Sequence, residues 1–78
     1  MEFVRRLGLS PQERGSLNNG TCPDILELST GDFAVIGTDA TELLESKLPP
    51  SAARAHYERI VVVSREVLLS AKRDIPEI

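Results

Sequence analysis

Cys22 and His56 are the only residues of their kinds in the chain. A cysteine–histidine pair has the chemistry for nucleophilic attack, the imidazole holding the thiol as thiolate. Such a pair also needs an orienting third group and donors for an oxyanion, and neither segment supplies them. Cys22 precedes Pro23 at the entrance to a strand, and His56 lies beside Tyr57 among Arg54, Glu58 and Arg59. A small cysteine in the first setting packs as a buried hydrophobe, and the histidine reads as a loop residue. No catalytic residue is therefore expected. A ligand-binding or thiol-dependent role for Cys22 and His56 stands as an alternative.

Other chemistry is opposed by residue type and spacing. One cysteine and one histidine leave zinc to recruit carboxylates into a mixed site. Asp24, Glu27, Asp32, Asp39, Glu42 and Glu45 lack the spacing of a calcium loop. Gly31 and Gly37 are isolated, and Asp39 and Glu42 stand where a phosphate at the turn before Thr41 would have to sit. No metal and no cofactor are expected. The chain is acidic, with net charge −3, and its aromatics are Phe3, Phe33 and Tyr57, so direct nucleic-acid binding is not expected. Arg65, Lys72 and Arg73 form a modest basic patch that also complements a helix dipole.

The elements that must position these residues fit one domain over residues 1–78. At 78 residues, 41% hydrophobic and 27% charged, the chain is too apolar for a disordered tail. A domain this small hides only about 60% of the surface its unfolded form exposes. No apolar run approaches a membrane span and no secretory leader is recognisable. With a lone thiol, that makes the cytoplasm the expected compartment.

Residues 1–15 read as an N-terminal arm or short helix, with Ser10, Pro11 and Glu13 arranged as a helix start. Residues 16–21 are turn chemistry. Asp24 to Gly37 spells a β-hairpin turning through Thr30-Gly31-Asp32, with Gly31 at a positive φ. Leu26 and Leu28 share one face, Ile25 and Glu27 the other. Residues 41–48 read as a short helical insertion capped by Thr41 and stopped by Pro49-Pro50. Residues 59–64, with Ile60-Val61-Val62-Val63, are the most β-prone run and read as a third strand, either covered on both faces or central in the sheet. Ser64 then caps an amphipathic helix over 65–74, with Val67, Ala71 and Ile75 on its apolar stripe and Leu68 widening it. The expected fold class is α+β: a small three-stranded antiparallel sheet, a helical insertion between the second and third strands, and a C-terminal helix across one face.

That fold leaves a sheet face to be covered. The helix takes one side, and the other needs a flanking segment, a second copy or a partner. Residues 24–47 carry six acids against one lysine, a balance of −5, whereas residues 48–73 carry five cations against two acids, a balance of +3. The two halves can steer a charged partner or face each other. The residues expected to carry a partner are Val61 and Val63 from the sheet (or their neighbours facing the other way), Arg65, Lys72 and Arg73 from the helix, and Asp24 and Glu27 from the acidic strand. The expected function is a non-catalytic interaction module that can form a homo-oligomer. An antitoxin or immunity-type inhibitor, or an accessory subunit, using the acidic segment against a toxin is the alternative from a different class.

Gly20-Thr21-Cys22-Pro23-Asp24-Ile25, Gly31-Asp32-Phe33-Ala34-Val35-Ile36, Ile60-Val61-Val62-Val63-Ser64 and a closing helix occur in this order. This order resembles the BldB-like small proteins of actinobacteria. The resemblance covers about half of the chain. It implies a cytoplasmic, non-enzymatic regulatory protein whose partner is a helix-turn-helix transcription regulator. The chain departs from that pattern in having no tryptophan and in the long connection over residues 38–58.

Overall fold

The computed structural model describes residues 1–10, 13 and 23–77. Its centre is the first strand of the hairpin, which pairs on both edges. β1 (Phe3–Arg6), β2 (Asp24–Leu28) and β3 (Phe33–Ile36) form an antiparallel sheet in the order β1-β2-β3. The hairpin closes through a tight turn: the Gly31 N–H donates to the Leu28 carbonyl at 3.0 Å, and the Leu28 N–H donates to the Asp32 carbonyl at 2.9 Å. Gly31 has φ +94°, the left-handed conformation that this turn requires and that favours glycine.

The expected three-stranded antiparallel sheet with a C-terminal helix is present, but its third strand comes from elsewhere in the chain. Residues 59–64 do not join it. β4 (Thr38–Asp39) and β5 (Val61–Val62) form a separate two-stranded ladder, Thr38 opposite Val62 and Asp39 opposite Val61. The β-branched run has the propensity for a longer strand but lacks a partner of that length, because β4 gives way almost at once to helix α1 (Thr41–Leu44). The N-terminal segment, expected as an arm or short helix, is the strand that takes the place. Its arginines meet acids on β2: Arg5 pairs with Glu27 at 2.9 Å and Arg6 with Asp24 at 2.8 Å. Opposite charges on neighbouring strands stabilise the pairing.

The helical insertion is α1 followed by a 3-10 turn, Glu45–Lys47, ending before Pro49-Pro50. Thr41 is not its cap. It is the first helical residue, and Ala40 precedes it without a side-chain capping bond. Ser10 and Glu13 do form the expected reciprocal pair: the Ser10 N–H donates to Glu13 Oε1 at 3.0 Å, and the Glu13 N–H donates to Ser10 Oγ at 3.2 Å. The Ser10 N–H first, and the Ser10 hydroxyl after it, hold the Glu13 carboxyl below its ordinary pKa. The expected loop over residues 16–21 lies outside the described residues.

Helix α2 (Arg65–Lys72) starts as expected, Ser64 Oγ accepting the Val67 N–H at 3.3 Å. It packs on β2, where Leu7, Ile25, Val67 and Ala71 form the buried core and Val63 packs against them. Leu68 and Ile75, expected on the buried stripe, are exposed. At roughly 100° per residue Leu68 lies about 100° from Val67 and about 60° from Ala71, at the side of that stripe, and Ile75 lies past the end of the helix.

Candidate functional site

Strand alternation gives the sheet two unlike faces. Ile25 and Glu27 face α2. Asp24, Leu26 and Leu28 face away, and the register adds Phe3 opposite Leu28, Arg6 and Ala34 opposite Leu26, and Ile36 opposite Asp24. The outer face therefore carries an apolar group, Phe3, Leu26, Leu28, Ala34 and Ile36, bounded at one end by the Arg6–Asp24 pair. Phe3 is 65% and Ile36 54% exposed.

The residues expected to bind a partner fall into three groups. Val63 is part of the packing around the core and Val61 is exposed on β5, so the two do not share one open surface. This corrects the expectation that both lie on the uncovered face of a central strand. Asp24 and Glu27 are likewise turned to the fold. The Asp24 side chain is 7% exposed and accepts from Arg6 Nε at 2.8 Å and from the Ile25 N–H at 3.1 Å, and Glu27 is held by Arg5. Both acids serve strand pairing. Arg65, Lys72 and Arg73 are exposed on or just after α2, and no ion pair forms at them among the described residues.

The division of charge along the sequence is spent largely inside the molecule. Besides the two pairs on β1, Glu45 pairs with Arg54 and Asp39 with Arg59 at 3.0 Å, each joining the acidic half to the basic half. Arg54 also donates to the carbonyls of Ala55, His56 and Glu58, which fixes the course of that connection. Thr41 is buried between the halves: its hydroxyl donates to Asp39 Oδ1 at 2.7 Å and accepts the Ile60 N–H at 2.8 Å. The hydroxyl and N–H of Thr41, then the Arg59 guanidinium, lower the Asp39 carboxyl to a pKa of about 2.

His56 is exposed and meets the Tyr57 ring edge-on, with centroids 5.4 Å apart. Cys22 lies outside the described residues, so a Cys22–His56 pairing does too. Among the described residues no three His, Cys, Asp or Glu side chains converge as a metal site, and no helix is long and apolar enough to cross a membrane.

Sequence reasoning missed Phe3, Arg5 and Arg6 as sheet residues. The detectable signal was the complementarity of Arg5-Arg6 to Asp24 and Glu27. It also missed Leu69, which a helical projection sets between Arg65 and Lys72 on the side away from Val67. No family model, curated protein or solved structure matches this chain.

Proposed function

We propose that this chain is a non-catalytic protein-interaction module of the cytoplasm, a regulatory partner of a helix-turn-helix transcription regulator as its resemblance to BldB-like proteins implies. The observation that carries the interaction reading is the outer face of the sheet. Phe3, Leu26, Leu28, Ala34 and Ile36 form a contiguous apolar set on the side opposite α2, and its two outer members are more than half exposed. A small domain with a core of a few residues gains most by burying such a face against another chain. Mixed apolar faces of this kind mark interaction surfaces far more often than catalytic clefts, which are concave and carry convergent polar groups. The inhibitor alternative draws on free acids, and four of those between residues 24 and 45 are already neutralised by arginines of the same chain.

The test is parallel affinity purification of the tagged chain and its Phe3→Ser/Ile36→Ser variant from the native host, at low and high salt. Both side chains are exposed, so the variant keeps its fold, which thermal melting checks. The reading expects a stoichiometric partner with the parent chain that survives high salt and is lost with the variant. Equal recovery with both chains refutes the outer face as the interface.

A further inference from the structure

Helix α2 has a second side that the core does not use. Of the eight cations among the described residues, Arg5, Arg6, Arg54 and Arg59 are held by carboxylates; three of the remaining four, Arg65, Lys72 and Arg73, belong to α2 and its C-terminal cap. At roughly 100° per residue, Arg65, Leu69 and Lys72 line up opposite the buried Val67–Ala71 stripe, flanked by Leu68 and Arg73. Leu68 and Leu69 are both more than half exposed. No carboxylate stands within this stripe: Glu66 projects at its margin, and Asp74 turns inward to accept the Gly8 N–H at 2.8 Å.

One flank of the stripe is a shallow groove. Chain segment Gly8–Leu9 crosses the last turn of α2, tied there by the Leu9 N–H donating to Ser70 Oγ at 2.7 Å, and Leu9, Leu69 and Arg73 line the opening. Asp74 also lines the opening, its carboxylate engaged by the Gly8 N–H. The crossing is close: Gly8 has φ +76°, and a Cβ at that position would stand 2.7 Å from the Ser70 backbone carbon.

Deepening the interaction-module reading, on which this step rests, we infer that this stripe and groove dock an acidic amphipathic helix of another protein. The positions 65, 68, 69 and 72 have the i, i+3, i+4, i+7 spacing of a helix-pairing seam. Leucines of the incoming helix pack on Leu68 and Leu69 and reach toward Leu9, and its carboxylates meet Arg65, Lys72 and Arg73. A basic partner is repelled by the same three charges. The outer sheet face lies on the other side of the molecule, so this stripe is a second contact surface, selective for charge.

The test uses the full chain and a synthetic helical peptide with leucines at seam positions and glutamates beside them. Its lysine-for-glutamate counterpart, phosphatidylserine–phosphatidylcholine vesicles and duplex DNA are run alongside, and the readout is backbone amide shifts. The expected result is saturable shifts over residues 65–73 and at Leu9 with the glutamate peptide alone. Lys72→Glu/Arg73→Glu weakens that binding by about tenfold, since each reversal replaces an attraction with a repulsion. Leu69→Ser weakens it as well and leaves the melting temperature unchanged, while the charge-reversed variant, which opposes the dipole of α2, melts somewhat lower but stays folded at the assay temperature. The inference is overturned by equal response to the lysine peptide, by α2 shifts produced only by vesicles, DNA or self-association, or by no saturable shift. Shifts at residues 3, 26, 28, 34 and 36 in place of α2 also overturn it, while leaving the interaction-module reading standing. That reading is judged separately by the Phe3/Ile36 variant.

Discussion

Removing Arg6 tests whether Asp24 belongs to the fold or to a partner. The Asp24 carboxylate is 7% exposed and its guanidinium partner 41% exposed, at 2.8 Å. Stripping the cation from a fully buried pair costs about 3–5 kcal/mol. Water reaching Arg6 lets the abandoned carboxylate be partly solvated and lowers the cost, to about 1.5–2.5 kcal/mol for Arg6→Ala. Against a total of about 4–12 kcal/mol for a 78-residue domain, that is a large loss. The assay is urea unfolding of the parent chain, Arg6→Ala, Asp24→Asn and the double variant, at low and high salt. A coupling energy of about 1–2 kcal/mol is expected, and it persists in high salt because the pair is poorly screened. The control is Arg59→Ala, whose pair with Asp39 is about half exposed on both sides and whose effect fades in salt. Additive effects for Arg6 and Asp24, or a coupling that disappears in salt, refute the structural role and return Asp24 to the surface.

Gly8→Ala is expected to lower stability by about 2 kcal/mol or more. A left-handed conformation costs an alanine about 1–2 kcal/mol, and its Cβ would also press on the Ser70 backbone. The melting temperature of a chain this size then falls by about 8 °C or more, and an unchanged melt contradicts the crossing. Leu7→Ala, at a core position that is 1% exposed, is expected to cost about 2–5 kcal/mol by urea unfolding. For Asp39, carboxyl titration by NMR is expected to give a midpoint near 2, below the ordinary 3.8. Because the folded value is the lower one, Asp39 stabilises the fold above the ordinary value and loses that contribution as pH falls through about 2. Thr41→Val removes the principal donor and raises the midpoint; an unchanged midpoint contradicts the assignment.

The parts of the fold legible in the sequence are those fixed by neighbouring residues. Gly31 specifies the hairpin turn, Ser64 opens α2, and Pro49-Pro50 closes the helical insertion, each through bonds or clashes within a few positions. The parts that were not legible depend on distant partners. Ile60 to Val63 has the highest β propensity in the chain, yet only Val61 and Val62 pair, because strand length is set by the partner backbone as much as by side chains. Phe3 to Arg6 has two β-prone residues, Phe3 and Val4, but no alternating pattern of its own, and its pairing is fixed by Asp24 and Glu27 lying across from its arginines. The same dependence moved the candidate site. With β2 in the centre of the sheet, its outward Leu26 and Leu28 are half-buried and the exposed side chains of that face are Phe3 and Ile36 from the flanking strands, while the valines of residues 60–63 pass to the core and to a short side ladder.

The most direct measurement is site-specific photo-crosslinking in the native host, with a photoreactive phenylalanine analogue placed at Phe3, at Ile36 or, as a control, at the exposed Tyr57. The account predicts a discrete crosslinked band from positions 3 and 36 that contains a second polypeptide, and none from position 57. Absence of a band at 3 and 36, or an equal one at 57, contradicts the claim that the outer sheet face is where this protein meets its partner.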